Sequence, residues 1–295
     1  MTTPPDWVCL HSDALSAQVD PQGAQLSVLR DAQGRDLLWN GDPAYWNGRA
    51  PILFPIVGAL HRGHYLWGGT RYALPRHGFA RGRRFNVVAA TSADAVFRLR
   101  ADEATRAVYP FDFELELHFA LRGPELAVTA TVRNEGREPM PASVGFHPAF
   151  RWPLPGGVSR TLHRLEFDVE EPAPVRRLDR DGLLTPALHA SPVAGRTLML
   201  ADALFEQDVL IFDQLRSRKL RYGAGEGRDM ELRFPDARYL GLWSKPGAPF
   251  VCIEPWRGVA DPQGFVADVR EKPGIELLDA GASLSTSMVL SLTQS

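Results

Sequence analysis

The sequence predicts an all-β fold, a sandwich or a barrel, and three observations carry that reading. Alternation of apolar and polar residues with period two recurs along the chain, long helical amphipathicity is missing, and 26 glycines and 24 prolines are spread through the intervening turns. The first strand in this pattern is "AVFRLR" (95–100). The clearest is "FDFELELHF", where Phe111, Phe113, Leu115, Leu117 and Phe119 share one face and Asp112, Glu114, Glu116 and His118 the other. The turn signal "RGPE" follows, then "LAVTATVRN", in which Leu126, Val128, Ala130 and Val132 alternate until "NEGREP" breaks the pattern, so the two runs read as a hairpin. Further short strands fit "HRLEFDV", "DVLIFD", "FVCIEP" and the C-terminal "LSTSMVLSL". Short helices are expected in "ADALFEQD" and in the run before "WNGRAP". No βαβ alternation, internal repeat, Ser/Gly-rich linker or charge run divides the chain, which is expected to form one domain over residues 1–295.

Composition narrows the function classes. With 44% apolar and 23% charged residues in 295, the chain is long enough to bury roughly three quarters of its unfolded surface. A net charge of −2 with both signs interspersed gives no electrostatic reason to expect nucleic acid or an anionic membrane as partner. The cluster Arg81, Arg83, Arg84 reads as a solvated turn. Two cysteines, Cys9 and Cys252, make neither a disulfide framework nor a zinc site, and a reducing cytoplasm is the expected compartment. "MTTPPDWVCLHSD" lacks the basic and apolar segments of a secretory leader, and no window reaches the length of a membrane span.

Three stretches place polar groups where a sheet alone does not need them: "LPRHGFAR" (74–81), "SVGFHPAF" (143–150) and "APFVCIEPWRGVAD" (248–261). In the second, Pro148 disfavours helix and holds His147 extended at a strand end. A core histidine with one backbone hydrogen bond is the commoner reading for such a residue. In the third, alternation places Val251 and Ile253 on one face and Phe250, Cys252 and Glu254 on the other. Desolvation in that apolar company would raise the proton affinity of Glu254, which suits a general base; a structural salt bridge is the alternative. No HxH or HxxxH spacing supports a metal site.

Taken in order, "RAPILFPIVGALHRGHYLWGGTRYALPRHGFAR", "SVGFHPAF" and "YLGLWSKPGAPFVCIEPWRGVAD" resemble the aldose 1-epimerase (galactose mutarotase-like) superfamily, in its branch of epimerase-like proteins with poorly defined substrates. "RxPxxFPxxG" and "HGFAR" are shared with hexose-6-phosphate mutarotases. The resemblance implies a large antiparallel β-sandwich with few short helices, a sugar cleft on a concave face, and cofactor-independent interconversion of the α and β anomers of an aldose, either a hexose or a hexose phosphate. By the same resemblance, Glu254 matches the base that takes the C1 hydroxyl proton and His147 the acid that protonates the ring oxygen. His77 matches the second histidine, which holds the ring oxygen or a neighbouring hydroxyl. Asp208 falls near the family's hydroxyl-binding aspartate, with an ordinary surface carboxylate as the alternative. Trp243 and Trp256 are candidate platforms for a sugar face, or core residues. Arg81 is expected to orient a sugar oxygen or a neighbouring carboxylate, and Arg49 to contact a phosphate.

Two departures bear on the substrate: "VGA" puts Ala59 where a basic residue usually follows "FPIVG", and "RAPILFP" lacks the paired glycines of the phosphosugar enzymes. The expected partner is thus a small-molecule sugar or sugar phosphate, with neither cofactor nor metal, in a monomer or homodimer. A non-catalytic sugar-binding or sensing protein is the competing class, and retention of both the acid and the base favours the enzyme. A glycoside hydrolase would need a second carboxylate of comparable quality to Glu254.

Overall fold

The hairpin forms where the alternation places it. In the computed structural model, which describes residues 6–225 and 229–293, strands Phe113–Arg122 and Glu125–Asn134 pair antiparallel across Gly123 and Pro124, with Gly123 at φ 52° to make the tight turn. Phe113, Leu115, Leu117, Phe119 and Leu121 are buried. On the opposite face Arg98 lies 2.7 Å from Glu116 and Arg122 2.7 Å from Asp94. Phe111 stays outside the strand, its ring packed 4.7 Å from that of Tyr109.

This hairpin belongs to a nine-stranded sheet that runs, in spatial order, through the strands beginning at Thr197, Arg164, Lys219, Met230, Ser283, Glu125, Phe113, Asp94 and Asn86. A six-stranded sheet faces it, ordered Leu210–Phe212, Tyr239–Trp243, Phe250–Trp256, Gly145–Phe146 and Ile52–Leu53, with Ala149–Arg151 also on Phe250–Trp256. A third sheet of three strands carries Val8–His11, Leu15–Asp20 and Gln25–Asp31. The core between the two large sheets takes Leu115, Leu117, Val132 and Leu290 from one and Leu210, Phe212, Leu240, Leu242, Val251 and Ile253 from the other. The architecture is an antiparallel β-sandwich.

Because side chains alternate, the six-stranded sheet presents a second face away from that core. Leu53, Val57, Val209, Ile211, Trp256 and Val259 cluster on one part of it, and Trp39, Ala149, Ala248, Phe250 and Cys252 on another. Glu254 is on this face.

Helix is scarce. "ADALFEQD" forms a 3-10 turn at Asp202–Phe205. The expected helix before "WNGRAP" is instead a single turn, in which the Asp42 carbonyl accepts from the Tyr45 and Trp46 amides. The Trp46 ring then covers Gly48, where a Cβ would come within 2.4 Å of the indole. A short helix that the apolar pattern does not signal, Glu103–Arg106, is closed by a capping box between Asp102 and Thr105. Among the described residues no helix is long and apolar enough to cross a membrane. Residues 1–5, the start of "MTTPPDWVCLHSD", lie outside the described residues.

Candidate active site

Register brings His147 and Glu254 together. Gly145 pairs with Trp256 and Ala149 with Cys252 on the neighbouring strand, so His147 falls directly opposite Glu254. Phe146 is buried in the core, and the Pro148 carbonyl accepts from the Ile253 amide, which fixes the backbone on both sides of the histidine. His147 Nδ1 lies 3.2 Å from Glu254 Oε2, yet neither atom has an aligned hydrogen bond in the protein. Both side chains are nearly inaccessible, at 10% and 2% exposure. A buried polar group without a partner costs about 1–3 kcal/mol, which marks these atoms as groups kept for something other than stability.

Burial is the leading influence on both. It pushes the Glu254 carboxyl well above its usual range; Asp208 adds to the rise, while Arg76 and the Trp256 indole oppose it. It pushes His147 down to about 3, with Arg81 and Arg76 reinforcing the drop against the histidine's own backbone. Both shifts disfavour the charged forms, so the surroundings favour carboxylic acid beside neutral imidazole over the ion pair.

His77 sits against this pair, its ring 5.7 Å from that of His147. Its φ of 67° is left-handed, a conformation that costs a non-glycine residue about 1–2 kcal/mol. Two bonds to Gly58 hold it there: the His77 amide donates to the Gly58 carbonyl at 2.8 Å, and the Gly58 amide donates to His77 Nδ1 at 3.1 Å. Burial, followed by His147, Arg76 and Arg81, lowers its proton affinity well below the ordinary value. A neutral ring that accepts at Nδ1 carries its proton on Nε2, so His77 is a fixed donor there.

The walls are aromatic. Trp46 stacks on the His147 ring at 4.9 Å, and Trp243 meets it edge-on at 6.0 Å. Trp256 is seated between two glycines on the flanking strands: a Cβ at Gly145 would come within 2.6 Å of the indole, and one at Gly241 within 2.5 Å. These side chains, with Gly58, Arg76, His77, Arg81, Asp208, Lys245 and Ala260, line one cavity of about 260 Å³, near the lower end of the roughly 300–1,000 Å³ typical of small-molecule clefts.

Seven of the eight residues singled out from the sequence thus surround one pocket: Glu254, His147, His77, Arg81, Asp208, Trp243 and Trp256. Asp208 has a left-handed φ of 63°, and its backbone carbonyl accepts from Arg177. Trp256 belongs to both readings, core and cleft, since it packs on Val57 and Ile211 while lining the cavity. Arg81 donates to the Arg76 carbonyl at 2.9 Å.

Arg49 is the exception. Its guanidinium donates to the Ser27 carbonyl at 2.8 Å and lies over Trp7, and it is not among the residues lining the pocket. Trp46, Arg76 and Lys245 were not singled out, although Arg76 lies one residue before His77 inside the "LPRHGFAR" stretch.

Donor atoms of His147, Cys252 and Glu254 all lie within 4.8 Å of one another, a spacing a metal could use. The Cys252 thiol is pushed well up by burial and packs with Trp39, Ala149 and Phe250, so its proton is firmly held.

A buried carboxyl–imidazole pair, a second histidine with a fixed tautomer and aromatic walls thus share one small cavity. Residues 6–266 match the aldose 1-epimerase family model, and the chain belongs to that family. Protein LacX of Lactococcus lactis subsp. lactis, in its plasmid form, is 32% identical over 265 residues, covering 85% of this chain and 87% of that protein. Among solved structures, a galactose mutarotase-related enzyme from Lactobacillus acidophilus is 29% identical with a TM-score of 0.88, covering 98% of this chain and 97% of its own. A galactose mutarotase-like protein from Lactobacillus casei is 28% identical with a TM-score of 0.90, covering 97% of this chain and 100% of its own. The sandwich is accordingly the galactose mutarotase-like one, the chain is an isomerase of the aldose epimerase type, and its ligand is a small-molecule sugar.

Proposed function

We propose that the pocket interconverts the α and β anomers of an aldose, a hexose or hexose phosphate, by opening and reclosing its ring. The observation that carries this reading is the opposed His147–Glu254 pair, buried and 3.2 Å apart. With Glu254 ionised and His147 protonated, the carboxylate takes the C1 hydroxyl proton as His147 delivers one to the ring oxygen. The C1–ring oxygen bond breaks and C1 becomes a carbonyl. The pair is then carboxylic acid and neutral imidazole, the arrangement its burial favours. After rotation about the C1–C2 bond the same steps run backwards on the other face, and every proton returns to its origin.

The remaining side chains have roles that suit this cycle. His77, donating from Nε2, holds the ring oxygen or a neighbouring hydroxyl; Asp208 and Arg81 take further hydroxyls; Trp243 and Trp256 pack against the sugar's C–H faces. The chain acts as a single domain, as a monomer or homodimer, in the cytoplasm. A sugar-binding protein without catalysis remains the rival class. NMR exchange measurements on free and 6-phosphorylated aldoses separate the two: faster α/β interconversion of at least one sugar is expected without added metal or nucleotide. Tight binding with no acceleration across a broad panel would instead establish the rival.

A further inference from the structure

Asp261 ties together two stretches of chain beside the pocket, residues 59–61 and Leu184. Its amide donates to the Ala59 carbonyl at 2.9 Å, its carbonyl accepts from the Leu184 amide at 2.8 Å, and its Oδ2 accepts from the His61 amide at 2.8 Å. Its neighbour Ala260 presses on Gly58, where a Cβ would lie 2.5 Å from the Ala260 Cα. Lys272 completes the cluster: its ammonium is 2.8 Å from Asp261 Oδ1 and donates to the Val259 carbonyl at 2.6 Å, with the two side chains 1% and 2% exposed.

We propose that the Lys272–Asp261 pair is a positioning brace for His77, acting through Gly58. The chain of contacts is short: Lys272 holds the carboxylate and the Val259 carbonyl, Asp261 and Ala260 hold residues 58–61, and Gly58 holds both the backbone and Nδ1 of His77. Only while the Gly58 amide points at Nδ1 is the His77 proton confined to Nε2. Stability alone is a poor reason for a buried ion pair, because a well-packed apolar pair often does as well. Its place behind the loop that fixes a tautomer points to the tautomer.

This inference rests on the mutarotase reading for its kinetic part only; the ¹⁵N signature of the His77 ring in the free protein tests it without any substrate. In Lys272→Met the ring should lose its single Nε2–H signature and show a mixture of tautomers. The exchange kcat should fall roughly tenfold to 10²-fold while KM for the sugar changes little, as expected for a misplaced group rather than lost binding. Should the uncompensated Asp261 keep Lys272→Met from folding, Asp261→Leu/Lys272→Met, which buries no charge but has no acceptor for His61, carries the same expectation. Asp261→Asn/Lys272→Met keeps that acceptor but lacks the Lys272 contacts, and should fall between Asp261→Leu/Lys272→Met and wild type in both signature and rate. A folded Lys272→Met or Asp261→Leu/Lys272→Met protein with the wild-type His77 signature and kcat, merely melting earlier, would overturn the brace. Loss of the single-tautomer signature in a protein with no mutarotase activity would leave the brace standing and remove the proposed reaction instead.

Discussion

At the scale of single residues, the site is assembled from groups that would each be an anomaly in a structural role. His147 has a buried nitrogen without an aligned partner, and His77 and Asp208 adopt left-handed backbone that histidine and aspartate seldom use. His147→Ala should therefore lower the exchange rate by about 10²–10⁴-fold, the usual contribution of a positioned proton donor, with little change in melting temperature. A large drop in melting temperature with activity per folded molecule retained would return His147 to the core-histidine reading. Arg49 gives the opposite case. Since its guanidinium is engaged by Ser27 and Trp7 away from the cavity, Arg49→Ala should alter KM for a hexose and its 6-phosphate by the same factor. A selective loss for the phosphorylated sugar would restore it as a phosphate contact.

At the scale of elements, the strand Phe250–Trp256 divides its side chains between two environments. Val251 and Ile253 enter the main core, and Cys252, Glu254 and Trp256 face the site side. The flanking strands make room with glycine at 145 and 241, so that Trp256 forms a floor without lifting into the cavity. Gly241→Ala should push the indole toward the sugar, raising KM severalfold and destabilising the fold by about 1–3 kcal/mol, the usual cost of overpacking. Unchanged KM and melting temperature would show that the indole has slack. This division was legible in the sequence, since alternation alone separates Val251 and Ile253 from Glu254, and the "HGFAR", "HP" and "CIEPW" runs carried the resemblance. Trp46 and Lys245 were not legible: they reach the cavity from turns, where no periodicity says which way a side chain points. The same limitation hid the real position of Arg49, whose adjacency to "PILFP" says nothing about the direction of its guanidinium.

At the scale of the whole molecule, the sandwich supplies a rigid sheet whose outer face can bear electrostatic strain. Because the His147–Glu254 pair works with one proton, the exchange rate should form a broad plateau in pH. Its acidic limb belongs to His147 taking up a second proton, near the value of about 3 to which burial lowers it, and its alkaline limb to loss of the pair's last proton, above the ordinary carboxylate range. A rate that instead follows a single unperturbed histidine would contradict the shared-proton account. Stability should register the same strain with a defined sign. Glu254 has a raised folded pKa, so its favourable contribution is complete below its ordinary value of 4.5 and is lost as pH rises toward the folded value. Glu254→Gln should accordingly gain melting temperature relative to wild type as pH is raised from about 4.5 to 8. A gap that narrows over that range would show Glu254 to be stabilising as the anion.

The central claim, that Glu254 removes the C1 proton, is tested most directly by measuring anomer exchange, sugar affinity and melting temperature on one preparation of Glu254→Gln. The amide keeps the shape and hydrogen-bonding capacity of the side chain and removes its basicity. Exchange is predicted to fall by about 10²-fold or more, with affinity nearly unchanged and a melting temperature at neutral pH no lower than wild type. Near-wild-type exchange in a folded protein that still binds sugar would contradict the assignment.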